Sequence, residues 1–286
     1  GSCTWGQIDN PGAVTALQVM TVEPEPRLIE LRGKDILKVM HAYGVNGIIT
    51  EVEVPLAPAH DWAERIATFD TLKAAAAFGQ AFTECDGIAK KLVSIHAPAI
   101  ASYLRRLAPY LGQDKAFAIL MVSEPQGDEL DRLIAEMGGI VTFSRNAEAA
   151  RAAAFGEHRE KGAPGPLYEY TWNHTTLHAL KVDPEITYLQ LRFPPGRNLE
   201  LLEWAEDKFR EDVIFHIEFQ RRQGKVYHSS LPLVRFTTTE RLHEIMSQAE
   251  AAGIQASNPH TWVLNNAGWK RTDAPQPEFK RLADPL

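Results

Sequence analysis

Apolar and polar positions along this 286-residue chain change texture once, just after residue 57. Before that point, residues 13–21 and 27–31 alternate as two strands around the proline-rich turn Glu23-Pro-Glu-Pro26. Ile36, Leu37 and Met40 then share one side of a short amphipathic helix, and Gly44-Val-Asn-Gly47 runs straight into a β-branched strand at 48–54. Pro55 and Pro58 close this stretch, which predicts a first unit at 1–57 and a second beginning at 58.

From Trp62 onward the spacing predicts strand 62–69, helix 71–85, strand 89–95, helix 99–108, strand 116–122, helix 129–137, strand 139–143 and helix 146–160. Leu130, Leu133, Ile134 and Met137 show the helical i, i+3, i+4, i+7 recurrence. After the break Gly162-Ala-Pro-Gly-Pro166 the pattern gives strand 186–193, helix 198–210, strand 213–219, one or two strands in 225–236, helix 239–252 and strand 254–256. The order β-α-β-β-α-β thus occurs twice, with negligible identity between the copies. This predicts an α+β fold whose second unit, 58–275, is a pair of ferredoxin-like α/β-sandwich halves with antiparallel sheet.

Strand period 2 assigns faces. Thr187, Leu189, Leu191 and Phe193 fall on one side of 186–193, with Tyr188, Gln190 and Arg192 on the other. Val213, Phe215, Ile217 and Phe219 form an apolar side opposite Ile214, His216 and Glu218. Residues 168–172 read as a further strand, its rings Tyr168, Tyr170 and Trp172 leading into Asn173-His174. Helices are expected over the apolar faces, leaving a polar-aromatic face uncovered.

Composition narrows the class. Thirty Lys and Arg against 37 Asp and Glu give a net charge of −7, which argues against a dedicated nucleic-acid surface. Cys3 and Cys85 are too few for a disulfide framework, so a reducing, cytoplasmic setting is the expectation. No run of 18 apolar residues suggests a transmembrane helix, and no charged start followed by an apolar stretch suggests a signal peptide. The chain starts Gly-Ser-Cys without Met and ends Lys280-Arg-Leu-Ala-Asp-Pro-Leu286, which reads as a piece of something longer.

Four segments occur in order: Gly1-Ser-Cys-Thr-Trp-Gly6, Leu31-Arg-Gly-Lys-Asp35, His41-Ala-Tyr-Gly-Val-Asn-Gly-Ile-Ile-Thr-Glu-Val52 and Lys280-x-x-x-Asp284-Pro285. Together they resemble the FAD-linked oxidases with a PCMH-type (vanillyl-alcohol-oxidase-like) flavin domain, in the glycolate and D-lactate dehydrogenase branch. The resemblance implies that residues 1–57, with 276–286 returning to them, are the second part of that flavin domain, and that 58–275 is the substrate (cap) domain. It implies FAD as cofactor, with Cys3, Thr4, Gly6, Gly44, Gly47, Ile48, Ile49 and Thr50 beside it. An N-terminal FAD subdomain carrying the pyrophosphate loop is then a missing partner, a separate electron acceptor is a possible one, and the piece alone is expected to bind flavin poorly. Glycines before a strand also suit backbone N–H donation to phosphate, although such a pair is commonly only a turn.

A small anionic substrate suits the polar cap face. Arg192 is a candidate carboxylate grip, and His174 or His216 a candidate base for the hydroxyl proton, while hydride leaves to flavin. Tyr188 joins these as a catalytic candidate, with Tyr170, Asn173 and Gln190 as substrate contacts. Each reading competes with plain surface chemistry. Relatives in the branch carry a metal segment, His-x-Gly-Asp-Gly-Asn-x-His, that is absent here. His216 and Glu218, with His228 or His260, are the residues left for such a site, and no metal is expected. Two competing readings remain for 62–256: a non-catalytic small-molecule-binding module, or a protein-interaction domain of tandem ferredoxin-like units.

Overall fold

The computed structural model describes residues 13–40, 42–56, 58–156, 162–222, 224–260 and 275–285. The chain divides into two compact units, Trp5–Pro58 with Ser257–Leu286, and Ala59–Ala256.

In the first unit β1 (Ala16–Met20) lies between β2 (Leu28–Arg32) and β3 (Ile48–Glu53), both antiparallel to it. One face of this sheet is apolar. Val14, Leu17, Val19 and Leu31 pack with Ile36 and Val39 and with Phe279 and Ala283 of the C-terminal helix, Pro275–Ala283. The segment around Ile36 is a 3-10 helix, Gly33–Lys38. Strand β3 is exposed along its whole length, with Ile48 at 60% and Ile49 at 44% of full accessibility.

The second unit is built on one eight-stranded sheet. Its first half contains β4 (Trp62–Phe69), α1 (Leu72–Glu84), β5 (Lys90–His96), β6 (Ala116–Ser123), α2 (Gly127–Glu136) and β7 (Ile140–Arg145), followed by α3 (Ala147–Phe155) and α4 (Asn173–Leu180). After a short strand β8 (Ile186–Tyr188), the second half contains β9 (Gln190–Phe193), α5 (Asn198–Lys208), β10 (Val213–Ile214), β11 (His216–Arg222), β12 (Lys225–Ser230), β13 (Leu233–Arg235), α6 (Thr239–Ala252) and β14 (Gln255–Ser257). The sheet order is β14-β9-β12-β11-β5-β6-β4-β7. Each half therefore runs fourth, first, third, second in its own strands, and the halves join where β11 pairs antiparallel with β5.

Helices cover one face of this sheet. Gly79 of α1 has room only for hydrogen, because a Cβ there would stand 2.5 Å from the Phe219 ring and 3.1 Å from Ile95. Phe69, Phe78 and Phe82 stack in sequence at centroid distances of 5.1 and 5.8 Å. Each fully buried side chain of this size contributes about 1.5–3 kcal/mol, so this layer is the main source of stability. Helix starts and stops follow local chemistry: Thr71, Asn146 and Thr238 accept N-capping bonds from Ala74, Ala149 and Arg241, and Gly156 and Gly253 end α3 and α6 in the left-handed region. No helix among the described residues is long and apolar enough to cross a membrane.

Several local expectations are corrected. Residues 99–108 form no α-helix. Pro98–Tyr103 is 3-10, Leu104 leaves helical geometry, and Ala108–Tyr110 is a second short 3-10 turn. The stretch 168–172 is no strand, since Leu167–Tyr170 is a 3-10 turn leading through Trp172 into α4. The stretches 186–193, 213–219 and 225–236 each break once, at Leu189, at Phe215 and at Leu231-Pro232. Pro232 offers no N–H to a ladder. Beyond these breaks β10, β13 and β8 form a separate three-stranded sheet in the same lateral order as β11, β12 and β9. The expected helix end at 157–160 lies outside the described residues.

Candidate functional site

The face of the eight-stranded sheet opposite α1 carries its chemistry in rows. Arg192 on β9 is in register with Ser229 on β12, Ser229 with Glu218 on β11, and Glu218 with Ser94 on β5. The row continues as Ile119 on β6 and Ile66 on β4, so polarity stops at the middle of the sheet. With strands about 4.8 Å apart, the Arg192 and Glu218 backbones are about 10 Å apart. Two residues along, His216 is in register with His96 and His96 with Phe117, and their rings stack at 5.5 and 4.6 Å. Gln190 and Gln220 extend the polar part on the same face, and Ser229 Oγ donates to Gln220 Oε1 at 2.5 Å.

These groups are buried. Glu218, His216, His96 and Ser94 are at 0% exposure and Arg192 at 8%. Ser94 Oγ donates to Glu218 Oε1 at 2.8 Å and lies 2.9 Å from His96 Nε2. The Trp172 backbone N–H also donates to Glu218 Oε1, at 2.7 Å. His216 Nδ1 is 3.4 Å from the same oxygen without the alignment of a hydrogen bond. His96 Nδ1, both His216 nitrogens and Glu218 Oε2 have no hydrogen-bond partner among the described residues. Buried polar atoms without partners are costly and uncommon, which marks this cluster as something other than packing. Burial, with a smaller push from His216, holds the His96 imidazolium well out of reach, so His96 is neutral.

The expectation of an uncovered face is overturned over the central strands. The segment Leu167–Trp172 lies across β4, β6, β5 and β11, anchored at both ends by buried carboxylates. At one end the Leu167 N–H donates to Glu64 Oε1 at 2.8 Å, while Arg145 Nε holds Glu64 Oε2 at 2.7 Å. Burial raises the Glu64 pKa even against the attraction of Arg145. At the other end Trp172 sits at φ 53°, ψ −138°, a conformation costly for any residue but glycine, held there while its N–H serves Glu218. A polar face attracts its own chain because main-chain N–H groups satisfy its carboxylates, a pairing no strand periodicity records.

The structure brings Arg192, Gln190 and His216 onto one face and leaves the other candidates elsewhere. Tyr188 belongs to the separate three-stranded sheet, opposite Leu233. Tyr170 is buried, its hydroxyl accepting from Gly165 N–H at 3.2 Å. Asn173 is exposed at the start of α4, and His174 faces an outer groove with Nδ1 3.3 Å from Glu169 Oε2. His228 points through the sheet to the helix side, where its Nε2 meets Gln80 Oε1 at 2.7 Å, so it shares no site with His216 and Glu218. Among the described residues no cluster of three or more His, Cys, Asp or Glu is arranged to hold a metal. Ser94 and His96 were missed. Their signal was present, two polar residues at strand period on either side of Ile95.

In the first unit the Gly47 N–H donates to Asp284 Oδ2 at 2.9 Å, and Lys280 Nζ donates to Asp284 Oδ1 at 2.7 Å. The expected free N–H for a phosphate is therefore already used at Gly47. Two separated sequence motifs turn out to be one knot. Asn46 Nδ2 adds bonds to the carbonyls of Lys38 and Gln276. Gly44 is left-handed with open space where a Cβ would be, and Ile48, Ile49 and Thr50 lie on exposed β3. Cys3, Thr4 and Gly6 lie outside the described residues.

No protein-family model and no curated protein matches the sequence. Solved structures do match. Alkyldihydroxyacetonephosphate synthase superposes in two crystal forms at TM-scores of 0.56 and 0.55, with 15% and 14% identity, over 95% of this chain and 52% of that one. The fold is shared. The 6-hydroxy-D-nicotine oxidase of Arthrobacter nicotinovorans matches at a TM-score of 0.46 and 14% identity, over 99% of this chain and 68% of that one. The chain spans about half the length of the synthase structures it matches.

Proposed function

We propose that this chain is the substrate-side part of an FAD-linked oxidoreductase acting on a small hydroxy acid, with the second unit as a cap of two ferredoxin-like halves. The observation that carries the proposal is the buried row Arg192–Ser229–Glu218–Ser94 with His216 and His96 beside it, on the sheet face opposite α1. Support comes from the shared fold with alkyldihydroxyacetonephosphate synthase and from the flavin-domain motifs around Gly47 and Asp284. The fit to FAD in the first unit is one of surface: exposed Ile48 and Ile49 precede Thr50 on β3 and offer apolar contact to a ring, whereas Gly47 has no N–H to give.

In this reading Arg192 binds the substrate carboxylate through its guanidinium fork. His216, with two unsatisfied nitrogens, takes the hydroxyl proton, and Glu218 stabilises the imidazolium that results. Flavin, when bound, supplies the hydride acceptor. Ser94 and the Trp172 N–H orient Glu218 through the hydrogen bonds they give it. The proton acceptor is fully buried and its neighbour Glu218 is bonded to the Trp172 N–H, so substrate access requires that segment to leave Glu218.

The test uses the whole protein that carries this chain, purified with its flavin. Anaerobic addition of 2-hydroxy acids is expected to bleach the flavin absorbance. Arg192→Lys is expected to raise KM about tenfold or more with a smaller effect on kcat, and His216→Gln to lower kcat with KM nearly unchanged. A flavin that no hydroxy acid reduces, in a protein whose fold is intact, overturns the reading.

A further inference from the structure

A groove of about 560 Å³ opens in the second unit beside the segment Leu167–Trp172, and none of Arg192, Ser229, Glu218 or Ser94 lines it. It is formed where α4, the turn after Tyr103, Ala154 at the end of α3 and the Gly165-Pro166 bend meet. Its volume is within the range of small-molecule sites.

The charge of this groove runs against that of the molecule. The chain carries a net charge of −7, yet among the described residues the groove is lined by Arg105, Arg106 and Lys181 against the one carboxylate of Glu169, with His174 and His178 also on its walls. Most described arginines have a carboxylate partner, including Arg65, Arg145, Arg197 and Arg241. Arg105 and Arg106 are adjacent and exposed, and among the described residues neither they nor Lys181 have an ion-pair partner.

The walls add contact surface. Tyr103 and Tyr168 line the groove, and the Tyr170 ring stacks on His178 at 5.0 Å and 10°. His178 Nε2 is 3.1 Å from the Glu169 carbonyl and donates to it in the neutral ring, leaving Nδ1 as the atom that takes up a proton.

We propose that this groove is a binding site for a small organic polyanion, a phosphate ester or a polycarboxylate, gripped by Arg105, Arg106 and Lys181 and packed against the tyrosines. The site is separate from the Arg192 face and does not depend on the oxidoreductase reading. Bidentate guanidinium contacts account for the preference for phosphate or carboxylate over a monovalent halide. Burial, then the nearby Lys181, now hold the His178 imidazole below its ordinary pKa despite its bond to Glu169. A bound polyanion reverses that balance.

Calorimetric titration of the protein with inorganic pyrophosphate and, separately, with citrate tests the site. One saturable site that weakens with added salt is expected. Pyrophosphate alone binding identifies phosphate esters as the class, citrate alone identifies polycarboxylates, and both binding identifies a general polyanion site. The double variant Arg105→Glu/Arg106→Glu is expected to weaken binding about tenfold or more. Arg132→Glu, on exposed α2, is expected to leave it within about twofold. As a second readout, the NMR titration of His178 is expected to move to higher pH in the presence of the anion. Neither probe binding, an equal loss in the Arg132 variant, or an unmoved His178 titration overturns the proposal.

Discussion

At the scale of single residues, the buried histidines govern how the protein responds to acid. Desolvation pushes His228 down to about 3 from an ordinary 6.5, and the same cause keeps His96 neutral. Between those two pH values the unfolded chain binds a proton at His228 that the folded chain refuses. Stability therefore rises with pH across this window and is lost as pH falls below about 6.5. Urea midpoints measured from pH 7 to pH 4 are expected to decline steadily. His228→Gln, which keeps a neutral polar group near Gln80, is expected to flatten part of that slope, with His96 and carboxylates held below their ordinary pKa, such as Asp284, contributing to the remainder. A variant with an unchanged slope would show that His228 is protonated in the folded state.

At the scale of elements, Gly47 shows how a motif works by geometry. Its φ of +90° excludes side chains, and a Cβ there would stand 2.7 Å from Val19 Cγ1 and 3.0 Å from the Met20 carbonyl. Gly47→Ala is thus expected to destabilise the first unit by about 2–4 kcal/mol, combining left-handed strain with overpacking. Gly44→Ala, with a φ of +76° but nothing within 4 Å, should cost only the strain, about 1–2 kcal/mol. Chemical denaturation of the two variants distinguishes these. Equal losses would show that the contact with β1 is not what requires glycine at 47. The bond from Gly47 to Asp284 also explains why a C-terminal Lys-x-x-x-Asp belongs with a loop some 240 positions earlier: Lys280 and the Gly47 N–H together hold the Asp284 carboxyl below its ordinary pKa.

At the scale of the whole molecule, the second unit contains its own sheet, its own helical layer and one continuous core. Residues 59–256 expressed alone are expected to unfold in one cooperative transition, followed by circular dichroism and tryptophan fluorescence together. Two separated transitions would instead divide the unit at the β11–β5 seam. Only a short ladder, His216 to Glu218 against His96 to Ser94, joins the two four-stranded halves, but α1 packs on β11 and β5 alike and locks the seam from the helix side.

Much of this architecture is written in periodicity. Alternation at two residues assigned the faces of β9 and β11, and it placed Arg192, Gln190, His216 and Glu218 on the same side because side-chain direction in a strand is local geometry. The helical repeats of α2 and α6 were legible for the same reason. Tertiary structure alone decided what covers the polar face, because Leu167–Trp172 is held by two carboxylates, Glu64 and Glu218, about 100 and 50 positions away in opposite directions. It also decided where long strands break into a second sheet, since Leu189 and Phe215 carry no local signal and only the neighbouring Leu231-Pro232 does. Faces follow from the backbone of each element. Neighbours follow from which buried charges find donors, and that is settled only when distant segments meet.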